Sequence, residues 1–294
     1  MRLNNVFKGL GVALVTPFQK DGSVDYAALE ELVQAHIDGA TDFLCVLGTT
    51  AETPCLTAEE KRKVLDTVVR RVDKRMPILL GCGCNHTAEV VRYLQEEDLS
   101  GVDGVLVVVP YYNKPSQEGL YQHFCAVAAA TPLPVVLYNV PGRTGVNMEA
   151  ATTLRIAAAH ENVVAVKEAS GNLAQIDAII EGAPEGFEVL SGDDAITFEL
   201  MGLGAVGVIS VVGNAYPEEF GAMVHALQKG QQQEALAFHR RFHALYPLMV
   251  AEGNPAGVKA LLAVKGKIQQ VLRLPLVPVS QTTFDRVAAA EKAF

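Results

Sequence analysis

The chain has 294 residues, half of them hydrophobic and 19% charged, with a formal net charge of -9. This balance excludes a disordered chain, and an acidic surface that repels phosphate backbones argues against a nucleic-acid partner. The sequence holds no uninterrupted apolar run of about 18 residues to span a membrane and no apolar signal-peptide core near Met1, and its 5 cysteines form no C-x-x-C pair; together these features point to reduced thiols and a cytoplasmic protein.

Leu10–Val15 is the first strand candidate, a near-continuous apolar run of the kind buried on both faces of a parallel sheet. A helical pattern ending near Gly39 separates it from the second, Phe43–Leu47. The turn Gly48-Thr-Thr-Ala-Glu52 follows directly. Backbone amides and the hydroxyls of Thr49 and Thr50 can take a carboxylate there, although threonine pairs are common in turns. Thr57-Ala-Glu-Glu60 is a capping-box signature, and Val64, Leu65, Val68, Val69 and Val72 follow at helical spacing. Strand candidates Ile78–Cys82 and Gly104–Val109 come next. The loop Tyr111-Tyr-Asn-Lys-Pro-Ser116 places two adjacent tyrosines where a binding surface, an interface or plain loop packing would each use them. Ser116 then heads a helix built on Leu120, Phe124 and Val127.

The strand candidate Val135–Tyr138 ends on a tyrosine, and Arg143 follows in the loop. A tyrosine can shuttle a proton and an arginine can clamp a carboxylate, but a lone strand-end tyrosine serves equally as a core residue. Val163–Val166 runs into Lys167. Burial disfavours an ammonium, and a neutral amine is the nucleophile that carbonyl chemistry needs. By itself the segment fits equally a lysine reaching from a strand end to solvent. Asn172 heads a helix carrying Leu173, Ile176, Ile179 and Ile180, and Gly182 marks its end; Glu188–Leu190 and Val206–Ser210 complete eight strand candidates. Gly202-Leu-Gly-Ala-Val-Gly207 matches a dinucleotide fingerprint only formally, since it precedes a strand. After Pro217 three helical segments are predicted, at Gln231–Val250, Pro255–Gln270 and Gln281–Lys292. His239 and His243 are four apart on the first, without the glutamate of a metalloprotease helix, and read as a solvated helix face.

Strand–helix alternation repeated about eight times predicts a (β/α)8 TIM barrel over 1–225 with a C-terminal helical region over 226–294, and a doubly wound open sheet is the alternative.

The ordered motifs Gly48-Thr-Thr-Ala-Glu52, Tyr111 to Gly119, Leu137 to Gly145, Val166 to Asn172, Ser191-Gly-Asp-Asp194 and Gly207-Val-Ile-Ser210 resemble the dihydrodipicolinate synthase family of the pyruvate-dependent aldolases. The resemblance runs from about Gly9 to Phe284. It implies that Lys167 is a Schiff-base lysine, Tyr138 a proton shuttle, and Thr50 and Tyr112 the rest of a hydroxyl relay, with Tyr112 reaching across from a neighbouring subunit. It further implies that Thr49 and Thr50 bind the pyruvate carboxylate, that Arg143 holds the carboxylate of L-aspartate 4-semialdehyde, and that Gly192 and Ile209 contact substrate through their backbone. The activity implied is condensation of these two substrates to a hydroxy-tetrahydrodipicolinate, the first dedicated step toward diaminopimelate and lysine, by a homo-oligomer that needs neither metal nor organic cofactor. An N-acetylneuraminate lyase or another pyruvate-dependent aldolase is the nearest alternative, because these enzymes share the pyruvate half-reaction. A catalytically silent barrel would have lost the lysine or the relay, and Lys167, Tyr138, Thr50, Tyr112 and Arg143 are all present.

The chain departs from the family at two places. Ala51 stands where many members have glycine, which would strain the turn if that position needs a positive φ. Asn85, Glu89 and Tyr111 match an effector site for lysine in inhibited members, but Ala58 and Lys61 replace the histidines often found there. An ammonium at Lys61 repels a cationic effector, so weak or absent inhibition by lysine is expected.

Overall fold

A computed structural model describes residues 3–294. Eight strands form a closed barrel in sequence order: β1 (Gly9–Ala13), β2 (Phe43–Val46), β3 (Ile78–Gly81), β4 (Gly104–Val108), β5 (Val135–Asn139), β6 (Val163–Glu168), β7 (Glu188–Ser191) and β8 (Gly207–Ser210). β1 pairs with β2 in parallel, as do the successive strands from β3 to β8, and closure decides for the barrel over the open sheet. Every residue of β1, β2, β5, β6 and β8 is buried, which is why these strands read as unbroken apolar runs instead of alternating ones.

The chain folds as two compact units. One joins the segment ending at Lys8 to Pro77–Ile209; the other joins Gly9–Met76 to Ser210–Phe294. In the first, β-branched residues of the strands, such as Val105, Val107, Val163 and Val189, pack with the helical residues Leu120, Phe124, Ile156, Ile176 and Ile179. Two caps in this unit sit where the sequence places them: Ser116 accepts from the Gly119 amide, and Asn172 from the Gln175 amide. Gly182 is the last residue of the helix Leu173–Gly182.

In the second unit Thr57 and Glu60 form the full capping box of the helix Ala58–Val72, and the Gly39 amide closes the helix Tyr26–Asp38 on the Ala35 carbonyl. The C-terminal helices differ from expectation in two places. Gln231–Val250 is two helices, Gln232–Phe242 and Tyr246–Val250. Pro247 offers no amide hydrogen, and its ring would collide with the carbonyl four residues back in a continuous helix. The segment Pro255–Gln270 stays helical only over Ala256–Val264, because Gly266 adopts φ +67° and turns the chain out of the helix. The predicted segment Gln281–Lys292 forms the helix Gln281–Ala293.

The solvated-face reading of the histidine pair holds for His243, which is exposed, but needs correction for His239. His239 is buried, its ring 4.8 Å from that of His243, and the Tyr246 hydroxyl lies 3.4 Å from its Nδ1.

Candidate active site

Tyr138, Lys167 and Ile209 lie on barrel strands themselves, whereas Thr49, Thr50, Tyr112, Arg143 and Gly192 lie in the segments that follow strands. In the unit containing Pro77–Ile209, strand register does the positioning. Tyr138 on β5 pairs with Lys167 on β6, and Asn139 pairs with Glu168. Lys167 is 5% exposed, and its Nζ stands 4.4 Å from the centre of the Tyr138 ring. A cation over a ring face is stabilised by the ring quadrupole. Here the same contact holds the amine at the end of an apolar strand, beside a phenol able to move a proton.

Gly192, just past β7, makes room for that amine. A Cβ built there would come within 3.1 Å of Lys167 Cε, 3.0 Å of the Glu168 carbonyl and 2.7 Å of Ala169 Cβ. The Gly192 amide donates to the Glu168 carbonyl at 2.7 Å. Ile209 is fully buried on β8.

Behind Lys167 lies a group that the sequence reading missed. Alternation along β6 sends Glu168 to the opposite face from Lys167. Its buried carboxylate accepts from Asn139 Nδ2 at 2.6 Å, from the Ser170 hydroxyl at 2.5 Å, and from the Ser170 amide and Gln175 Nε2 at 3.2 Å. Burial raises its titration above the ordinary carboxylate value, and the surrounding donors offset only part of that rise. Every partner is a donor, as a carboxylate requires. Asn139 and Glu168 therefore bolt together the strand ends that carry Tyr138 and Lys167.

Arg143 lies exposed on the short helix Pro141–Thr144. Tyr112 is 87% exposed, with φ +73°, and its amide bonds the Thr144 carbonyl at 3.2 Å. A tyrosine in the left-handed region, projecting into solvent, is held by its loop at a cost in backbone strain. Asn85 secures this loop by donating to the Tyr111 carbonyl at 3.1 Å, while Asn113 returns a bond to the Asn85 carbonyl. Burial raises the Tyr111 phenol above its ordinary range. Glu89 is on the helix Thr87–Glu96, and its carboxylate accepts from Arg92 at 2.6 Å, which holds it below the usual carboxylate range.

In the other unit, Thr49, Thr50 and Ala51 form a short 3-10 turn after β2. The positive φ values flank it, at Leu47 (56°) and Glu52 (55°), so Ala51 escapes the strain foreseen for it. Thr50 is buried, and its Oγ1 accepts from Asn254 Nδ2 at 3.0 Å. Glu52 is buried and ion-paired to Lys259 Nζ at 2.5 Å, both side chains being wholly out of solvent. Lys259 also donates to the Val271 carbonyl at 3.0 Å and lies 4.1 Å over the Phe18 ring. Burial draws its ammonium down to about 8. The Arg273 amide donates to Glu52 at 3.0 Å, while its guanidinium grips Glu60 with two nitrogens at 2.7 and 2.5 Å. These bonds hold Glu60 down at about 2.

The chain from 6 to 293 matches the dihydrodipicolinate synthetase family. The chain belongs to that family. It is 59% identical to the 4-hydroxy-tetrahydrodipicolinate synthase of Phocaeicola vulgatus, over 96% of this chain and 95% of the relative. The crystal structure of dihydrodipicolinate synthase from Thermotoga maritima superposes with a TM-score of 0.96 at 40% identity, covering 98% of this chain and 99% of that one. The chloride-inhibited dihydrodipicolinate synthase from Acinetobacter baumannii, solved with pyruvate, superposes with a TM-score of 0.94 at 39% identity and 98% coverage of both chains.

Proposed function

We propose that the protein is a 4-hydroxy-tetrahydrodipicolinate synthase that condenses pyruvate with L-aspartate 4-semialdehyde through a Schiff base on Lys167. The observation that carries this reading is the buried Lys167 amine 4.4 Å from the Tyr138 ring, on strands whose register pairs the two residues. The Lys167 amine adds to the pyruvate ketone, and Tyr138 passes the protons that let water leave. The resulting iminium draws electrons from the methyl group, which loses a proton and becomes an enamine. The enamine carbon bonds to the aldehyde carbon of the semialdehyde. The amino group of that substrate then attacks the imine carbon and displaces Lys167.

In this reading Thr49 and Thr50 receive the pyruvate carboxylate, Arg143 the carboxylate of the second substrate, and Gly192 and Ile209 bound substrate through their backbone. Thr50 and Tyr112 complete the proton relay. The exposure of Tyr112 and its strained backbone fit a residue that serves a second copy of the chain, with a dimer as the smallest active unit and a tetramer as the assembly. Residues 1–225 supply the chemistry and 226–294 the helical region. Asn85, Glu89 and Tyr111 form the candidate effector site, and Arg92 already neutralises Glu89. With Ala58 and Lys61 in place of histidines, lysine inhibits weakly or not at all; saturable inhibition at sub-millimolar lysine would overturn that expectation.

Treatment with pyruvate and borohydride, followed by peptide mass spectrometry, is expected to place the adduct on Lys167. An adduct on another lysine, or none, would remove the assignment. A coupled assay with aspartate semialdehyde then separates the synthase from other pyruvate aldolases.

A further inference from the structure

Thr50 is gripped from a distance of 204 residues along the chain. Asn254 precedes the helix Ala256–Val264, and its Nδ2 donates to Thr50 Oγ1 at 3.0 Å. Its other amide atom, Oδ1, is buried and meets no hydrogen-bond partner among the described residues. An unpaired buried carbonyl lowers stability, so stability alone does not account for an asparagine at this position.

The chemistry of the contact is directional. An amide Nδ2 only donates, so it occupies a lone pair of the Thr50 oxygen and leaves the hydroxyl hydrogen to point elsewhere. A hydroxyl that accepts one hydrogen bond is polarised to donate more strongly in the next. Two residues further on, the same turn is held by the Glu52–Lys259 ion pair, and Lys259 lies on the helix that Asn254 precedes. One C-terminal segment thus fixes both the place of the turn and the orientation of its hydroxyl.

We propose that Asn254 is a positioning residue that aims the Thr50 hydroxyl along the proton relay; this rests on the relay role given to Thr50 above. The test is a double-mutant cycle in the full-length enzyme with Thr50→Val, Asn254→Ala and both together. Readouts are kcat, KM for pyruvate, the pH profile of kcat and the melting temperature. Asn254→Ala is expected to lower kcat about tenfold with little change in KM, a loss somewhat below what removal of a positioned proton-transfer group costs. In the Thr50→Val background the same change should cost nothing further, because both act through one hydroxyl. Asn254→Asp is nearly isosteric but accepts where asparagine donates, so it draws the hydroxyl hydrogen inward. Its kcat relative to wild type should be lowest at neutral pH and recover toward acid, as the carboxyl gains a proton to donate. This variant carries the test if Asn254→Ala fails to fold. Wild-type kcat in Asn254→Ala or Asn254→Asp, or an undiminished loss in the Thr50→Val background, would overturn the proposal and leave the relay reading intact. Wild-type kcat in Thr50→Val would remove the relay reading itself.

Discussion

Two buried glutamates stand close to functional segments, and the protein satisfies them in opposite ways. Glu168, next to Lys167, has only neutral donors among the described residues: Asn139, Gln175 and Ser170. Glu52, two residues after Thr50, faces the buried ammonium of Lys259 from the C-terminal segment. The difference follows from what each must do. A second buried cation beside Lys167 would disfavour the iminium that the proposed chemistry builds there, since like charges disfavour one another at short range. Neutral amides hold the Glu168 carboxylate and lock β5 to β6 without adding positive charge. Around Glu52 no such constraint operates, and an ion pair can join the turn to a distant helix.

The largest effect that probes this contrast is expected from Lys259→Met. Removing one member of a buried pair leaves an uncompensated charge and costs about 3–5 kcal/mol, read by chemical denaturation. Glu168→Gln should cost less, about 1–3 kcal/mol, because it removes no ion pair but leaves a donor among Asn139, Gln175 and Ser170 without an acceptor. If Glu168→Gln proves the more destabilising, the distinction between the two sites fails. The same variant sharpens it through kinetics: kcat should fall while the borohydride-trapped adduct still forms on Lys167.

Gly192→Ala tests the crowding around Lys167. The added methyl would sit 3.1 Å from Lys167 Cε and 3.0 Å from the Glu168 carbonyl, so the lysine or the loop must shift. A loss of about tenfold in kcat/KM, with a smaller change in melting temperature, is expected from such a misplacement. An unchanged kcat/KM would show that the lysine stem has slack.

The smallest effect concerns acid. Glu60 titrates at about 2 in the folded chain, chiefly through its bonds from Arg273, against an ordinary 4.5. Its folded pKa is depressed, so its stabilising contribution is present above about pH 4.5 and is lost as pH falls toward 2. Glu60→Gln should flatten the melting-temperature profile across that window and leave it parallel to wild type above it; a profile of unchanged slope would sever the link between Glu60 and Arg273.

The contrast between the two glutamates also marks where the sequence can be read. Lys167 and Tyr138 announce themselves as polar groups ending apolar strands, and the capping box at Thr57–Glu60 is a local pattern. Glu168 gives no such signal, because a charge directly after a strand-end lysine reads as the start of a loop, whereas β6 continues through it. Lys259 did leave a trace, a lone charge inside the apolar segment Ala-Gly-Val-Lys-Ala-Leu-Leu-Ala-Val, which implies a buried partner without naming it. The Asn254–Thr50 contact left none.

The sequence by itself determined the eight strands, the helix starts after Thr57, Ser116 and Asn172, the family and the residues at the strand ends, because each rests on periodicity or on side-chain type within a few positions. Only the tertiary structure decided that the sheet closes, that Pro247 breaks a helix, that His239 is buried, that Ala51 is unstrained, and which partners satisfy Glu168, Glu52 and Thr50. Those outcomes depend on pairings between residues far apart in the chain, and a buried charge or hydroxyl takes whichever partner the fold brings within reach.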